Sequence, residues 1–222
     1  MPSDPLSPAS ASAAASGAAA PCGRCGEPLT FALACSKCGA LFPEAAGDAF
    51  DLLGLPPAFE LDAARLQNNY LGLSRLAHPD RHVNAGEEAQ EAAEAVMALA
   101  NRSRAQLEEP RERAEVLIAR ILREANLPPA EKMPPPPGFL MEIMELTERL
   151  AAADDGQKAA LADNIRTELA QLETTLAEVL ATLPPADPAD TAARAREVLD
   201  QMAYWRRLLE NATGTGGHRL VQ

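Results

Sequence analysis

His78-Pro79-Asp80 stops a helix at a defined point and makes the chain turn there. The proline ring fixes its own φ and pushes His78 away from helical geometry. The preceding segment, Leu61 to Ala77, carries Leu66, Tyr70, Leu73 and Ala77 at steps of four, three and four, the spacing of one helical face. That helix is expected to end at Ala77 or His78. A polar loop, Arg81 to Gly86, follows, and Glu87 to Leu107 reads as a second, alanine-rich helix. The two helices meet at a stiff, exposed corner bearing an imidazole and a carboxylate. Such a corner suits recognition by a partner. It suits catalysis poorly, because acid–base groups must converge on a pocket.

Apolar residues make up 47% of the chain and aromatic ones 4%, with alanine and leucine dominant, so helices are favoured over sheets. The length allows one to two domains. A formal charge of −12 argues against a nucleic-acid groove and against anionic membranes. No run of about twenty apolar residues is present, so no helix is expected to span a membrane. Residues 1–20 are mostly Ala, Ser and Pro, with one acid, Asp4, and no base. Neither a secretory signal nor a mitochondrial transit segment has that pattern. They are expected to form a disordered tail ahead of a cytoplasmic protein. With no Gly-rich phosphate loop and no nucleophile motif, enzymatic activity is not expected.

Cys22, Cys25, Cys35 and Cys38 are spaced C-x₂-C-x₉-C-x₂-C, and glycine, Gly26 or Gly39, follows each pair. A C-x₂-C turn points two thiolates at one ion, and the glycine relieves crowding where the backbone turns. Two such turns complete a four-sulphur tetrahedral site on a small ribbon. A structural zinc fits best, since four cysteines leave no open position for catalysis. Iron also suits four thiolates, and two disulfides are the third option. Leu29, Phe31, Leu33, Leu41 and Phe42 are the only core candidates nearby. Metal is therefore expected to supply most of the module's folding free energy, independently of the rest of the chain.

Arg111 to Ala125 reads as a further helix, with Pro110 at its start where a missing N–H costs nothing. The breaker-rich segment after it includes Pro134 to Pro137 and is expected to be extended, holding two helical units apart. Three helices then follow, about Phe139 to Ala153, Gln157 to Ala181 and Pro188 to Ala212. Leu161, Ile165, Leu169, Leu172, Leu176 and Leu180 stripe the second; Val198, Met202, Trp205 and Leu209 stripe the third. Short loops between long amphipathic helices imply an antiparallel three-helix bundle. On the first of the three, Phe139, Ile143, Leu146 and Leu150 share the core arc. Leu140, Met141 and Met144 lie on the far side beside Glu145 and Glu148. Exposed Leu and Met beside acids read as a docking patch.

The helical pair with His-Pro-Asp in its loop resembles a J domain. The whole stretch from about Asp48 to Asn211 resembles the HscB family, J-type co-chaperones of iron–sulphur cluster assembly. The resemblance rests on His78-Pro79-Asp80, the Arg111-Glu112-Arg113-Ala114-Glu115 helix and Phe139-Leu140-Met141-Glu142. The tetracysteine module is similar to that of some members. The implied fold is all-α: a J domain and an antiparallel three-helix bundle, preceded by a small zinc-ribbon-like module. Its expected parts are a metal-binding module (21–45), a J domain (46–126), a Pro-rich linker (127–138), a scaffold-binding bundle (139–212) and a flexible tail (213–222).

The resemblance implies that His78, Pro79 and Asp80, with Arg75 and Arg81, activate the ATPase of a DnaK/HscA-type chaperone. It implies that Leu140, Met141, Met144, Glu145, Glu148 and Tyr204 bind an IscU-type iron–sulphur scaffold. Gln67, Asn68 and Asn69 stand where many J domains have lysines, which weakens charge steering towards the chaperone. The alternative is a general J-domain co-chaperone for other clients. Such proteins carry β-rich or Gly/Phe-rich client regions instead of a three-helix unit.

Overall fold

The computed structural model describes residues 20–130 and 134–214. The expected N-terminal tail, the C-terminal tail beyond Gly214 and Glu131-Lys132-Met133 of the linker lie outside the described residues. The described elements are α1 (Ala49–Leu52), α2 (Ala63–Leu76), a 3-10 turn (Pro79–Arg81), α3 (Glu87–Glu108), α4 (Pro110–Glu124), α5 (Pro137–Ala152), α6 (Asp155–Val179) and α7 (Pro188–Thr213). The all-α expectation holds. Among the described residues the cysteine module has only isolated bridges, Pro21–Pro28, Phe31–Ala34 and Ala34–Leu41.

Helix starts follow side chains that satisfy the free N–H groups of a first turn. Asp62 accepts from the N–H groups of Ala64 and Arg65 at 2.9 and 3.1 Å, so α2 begins at Ala63 rather than Leu61. Asp154 and Gln157 form a reciprocal capping box that starts α6 two residues before the expected Gln157. Pro137 at the first position starts α5 ahead of Phe139. Asp48 and Asp51 box α1 in the same way. Arg120 of α4 donates to Asp48 Oδ2 at 2.9 Å and Asp51 Oδ1 at 3.0 Å, and Arg123 donates to Asp48 at 3.1 Å. The first helix is thereby tied to the last helix before the linker.

α2 and α3 form the hairpin of the J unit. Tyr70 Oη donates to Asn101 Oδ1 at 2.8 Å, and the Arg104 guanidinium lies 4.7 Å from the Tyr70 ring centroid. Leu66, Leu73, Val96, Ala100 and Leu107 fill the space between the helices.

Two expectations about independence fail. The core of the J unit continues through Leu117, Ile118 and Ile121 of α4 into Leu176, Leu180, Ala195, Leu199 and Met202 of the bundle. Arg196 of α7 grips Glu115 of α4 through both guanidinium amines, and Arg206 meets Glu109 at 2.9 Å. The linker therefore does not hold two helical units apart, because α4 presents one apolar face to α3 and another to α7. The cysteine module is also not independent. Phe31, Leu33 and Ala34 are buried in the same core as Phe50 and Leu53.

At the far end of the bundle a smaller core surrounds Ile165, Trp205 and Leu208. Phe139 of α5 meets Tyr204 and Trp205 edge-on, with ring centroids 5.6 and 6.3 Å apart. Ile143 and Leu146 pack there too, and Leu150 is the one buried residue of α5.

Candidate functional site

The cysteine module consists of two matching knuckles. In the first, Gly26 N–H donates to Cys22 C=O at 2.8 Å and Cys22 N–H to Glu27 C=O at 2.7 Å. In the second, Gly39 N–H donates to Cys35 C=O and Cys35 N–H to Ala40 C=O, both at 2.9 Å. Each turn closes with a glycine at positive φ, +75° at Gly26 and +70° at Gly39, where a side chain would be strained. The four sulphurs lie within 4.8 Å of one another. Cys22–Cys38 and Cys25–Cys35 are each 3.7 Å apart. Sulphurs bound tetrahedrally at about 2.3 Å from zinc sit about 3.8 Å apart, so the spacing fits a thiophilic tetrahedral cation. A disulfide would need about 2.0 Å.

The sulphurs differ in acidity. The Cys38 backbone, with that of Lys37, lowers the Cys35 thiol to about 7 against an opposing burial cost. At Cys25 the Glu27 backbone also acts to lower the value. Burial and the other three sulphurs outweigh it and raise Cys25 to about 12. Uptake of a cation by such a cluster releases protons, so affinity falls as pH falls.

The corner projects from the J unit. The His78 and Asp80 side chains are 58% and 87% exposed. Asp80 N–H donates to His78 Nδ1 at 3.3 Å. The carbonyls freed at the end of α2 are satisfied from beyond the corner. Arg81 Nη1 donates to Arg75 C=O at 3.0 Å, and His82 Nε2 to Leu76 C=O at 3.0 Å. Sequence reading missed His82. The available signal was a histidine just past a helix end, where an imidazole N–H can reach the last carbonyls. Arg81 spends part of its guanidinium on this capping. Arg75, His78 and Asp80 remain exposed.

The third feature is the outer face of α5. Leu140, Met141 and Met144 are 37%, 63% and 64% exposed, and Glu145 and Glu148 lie exposed beside them. Tyr204 is half-buried, its ring held against Phe139. It supports α5 from behind as well as reaching the surface. The three features do not converge on one pocket. The cysteine module packs against the J unit, the corner ends α2, and α5 lies at the opposite end of the bundle from the shared core. No described helix is long and apolar enough to cross a membrane.

A helical hairpin turning at His-Pro-Asp, fused to a three-helix bundle, defines the architecture of a J-type co-chaperone. The model for the HscB C-terminal oligomerisation domain matches residues 135–213. Curated relatives include two HscB proteins. The co-chaperone protein HscB homolog of Bordetella petrii is 33% identical over 139 residues, 63% of this chain and 79% of that one. The iron-sulfur cluster co-chaperone protein HscB of Mus musculus is 29% identical over 177 residues, 79% of this chain and 72% of that one. The crystal structure of human co-chaperone protein HscB superposes with a TM-score of 0.69 at 25% identity, covering 88% of this chain and 98% of that one. The chain belongs to the HscB family. Its relatives are named as co-chaperones, in keeping with a binding protein rather than an enzyme.

Proposed function

We propose that this protein stimulates the ATPase of a DnaK/HscA-type chaperone through His78-Pro79-Asp80 and delivers an IscU-type iron–sulphur scaffold held on α5. The supporting observation is a pair of exposed elements at separate places on the fold, the corner beside the shared core and α5 on the smaller core at the far end of the bundle. One is a charged corner capped from behind by Arg81 and His82. The other is an exposed apolar face on α5, formed by Met141 and Met144 with Leu140 at its edge. Helices α6 and α7 contribute to both cores, so they fix how far apart two bound partners sit, which is what handing one to the other requires. The relative from Mus musculus is named for iron–sulphur clusters, and this supports the scaffold reading over a general J protein. In this reading Glu145 and Glu148 form the rim of the scaffold face, with Tyr204 at its back. The cysteine module holds one structural zinc through Cys22, Cys25, Cys35 and Cys38. Four cysteines holding a metal, rather than two disulfides, fit a reducing cytoplasm.

The test is steady-state ATP hydrolysis by the cognate chaperone. His78→Gln preserves size and polarity and removes the imidazole from an exposed position. Stimulation is expected to disappear while the melting temperature stays within about a degree or two of the parent, since exposed substitutions change stability little. Full stimulation by that variant would remove the corner from the mechanism.

A further inference from the structure

Two large apolar side chains besides those on α5 are exposed close to the corner: Leu71, 38% exposed, and Val83, 57% exposed. Leu71 and Arg75 are four residues apart and share the solvent face of α2 that leads to the corner. The helix leaves its regular geometry at the cap residue Ala77, φ −97° and ψ 13°, and His78 follows at once. Val83 lies on the other side of the corner. Its loop is held by His82 on the Leu76 carbonyl and by Gln90 Nε2, which donates to the Val83 carbonyl at 3.3 Å. Both side chains are therefore displayed outwards by fixed backbone.

We infer that Leu71 and Val83 are the apolar anchors of the chaperone-docking surface, so that docking is held by apolar burial rather than by charge. The inference rests on the reading that the corner engages the chaperone. A partner of ordinary interface size covers about 800 Å², a disc of roughly 16 Å radius. Leu71 is seven residues from His78, about 10 Å along a helix. A footprint centred on His78 that covers this face reaches Leu71, and Val83 follows the corner in the next loop. Charge offers little in its place. Around the corner the sequence sets Asp80, Glu87 and Glu88 against Arg75 and Arg81, Arg81 is tied to the helix end, and the chain as a whole carries −12. A surface without a cationic excess gains little from electrostatic steering. Large apolar side chains at the centre of an interface carry most of its energy.

The experiment measures chaperone ATPase rate against concentration of the full-length protein for four forms: the parent, Leu71→Gln/Val83→Ser, Leu127→Gln and His78→Gln. Leu127 is similarly exposed at 36% but follows α4, away from the corner, so it controls for loss of any surface leucine. The double variant is expected to need about tenfold more protein or more for half-stimulation, with the plateau rate unchanged. Leu127→Gln is expected to match the parent. The parent's half-stimulating concentration is expected to change less than about threefold between about 50 and 300 mM salt. An unchanged half-stimulating concentration for the double variant, with His78→Gln inactive, overturns the inference and leaves the corner's role standing. A steep salt dependence also overturns it. Stimulation that survives His78→Gln overturns both.

Discussion

Phe31 and Leu33 of the cysteine module are buried at 7% and 0% exposure in a core that belongs mainly to the J unit, whereas α5 leaves Met141 and Met144 more than 60% exposed. Both regions are small and lie at the margin of the fold. The module has too little apolar surface for a core of its own, so what it has goes inwards, and the sulphurs set the shape of the rest. α5 already has Phe139, Ile143, Leu146 and Leu150 facing α6 and α7. Met141 and Met144 point mostly to solvent and add little to that packing. Apolar residues in a marginal element thus have two uses, attachment and recognition. The face of the element distinguishes them better than its composition does.

The sharpest test of the attachment side is removal of the sulphurs. Metal analysis of the parent purified without added metal is expected to give about one zinc per chain. Cys35→Ser with Cys38→Ser is expected to give none. Because Phe31 and Leu33 belong to the shared core, the same change should also lower stability by about 3–5 kcal/mol, comparable to truncating a large buried side chain. Helical circular dichroism should stay close to the parent, since no described helix lies within the module. A metal-free variant with an unchanged melting temperature would mean that the module docks without its ion. Stoichiometric iron in the parent would displace zinc as the resident metal.

The recognition side predicts the reverse pairing of effects. Leu140→Ala, Met141→Ala and Met144→Ala together should weaken scaffold binding by about 2–4 kcal/mol in calorimetric titration, because buried anchors dominate interface energy. Each exposed change should alter stability by about 0.5 kcal/mol or less. Glu145 and Glu148 at the rim should act mainly on association rate and its salt dependence. Unchanged affinity combined with a large fall in melting temperature would show that the trio is core, and the contrast with the module would collapse.

The helices and the division of α5 into two faces were legible in the sequence, because 3.6-residue periodicity alone separates Ile143 and Leu146 from Met141 and Met144. The knuckle geometry was legible too, from the glycine after each C-x₂-C. Helix starts were read less well. Asp62 and Asp154 act as caps, and their effect depends on which N–H each side chain reaches. The contacts between units were not legible. Phe31 occupies a notch in α2, Arg120 reaches α1 across 72 residues, and Arg196 reaches Glu115 across 81. Such pairings leave no periodic trace. A proline-rich segment signals an extended chain equally well whether the flanking units touch or not.

Gly72 offers the finest test of the attachment. A glycine inside α2 costs about 1 kcal/mol relative to alanine, and its reason is visible in the packing. A Cβ at Gly72 would lie 3.2 Å from Phe31 Cζ. Gly54, which faces the module from the other side, is more tightly constrained. Its φ is +64° and a Cβ there would fall 2.2 Å from the Thr30 carbonyl oxygen. Gly54→Ala should therefore destabilise by about 2 kcal/mol or more, from the left-handed backbone and the overlap together. At Gly72 two small effects oppose each other. The helix gains about 1 kcal/mol from alanine, and Phe31 must shift by a few tenths of an ångström. Gly72→Ala alone is expected to lie within about 0.5 kcal/mol of neutral, while the same change made on top of Phe31→Ala should stabilise by about 1 kcal/mol. Urea unfolding of the four forms reads the difference. A full gain in both backgrounds would mean that Phe31 does not rest on α2, and that the cysteine module is held by its other contacts.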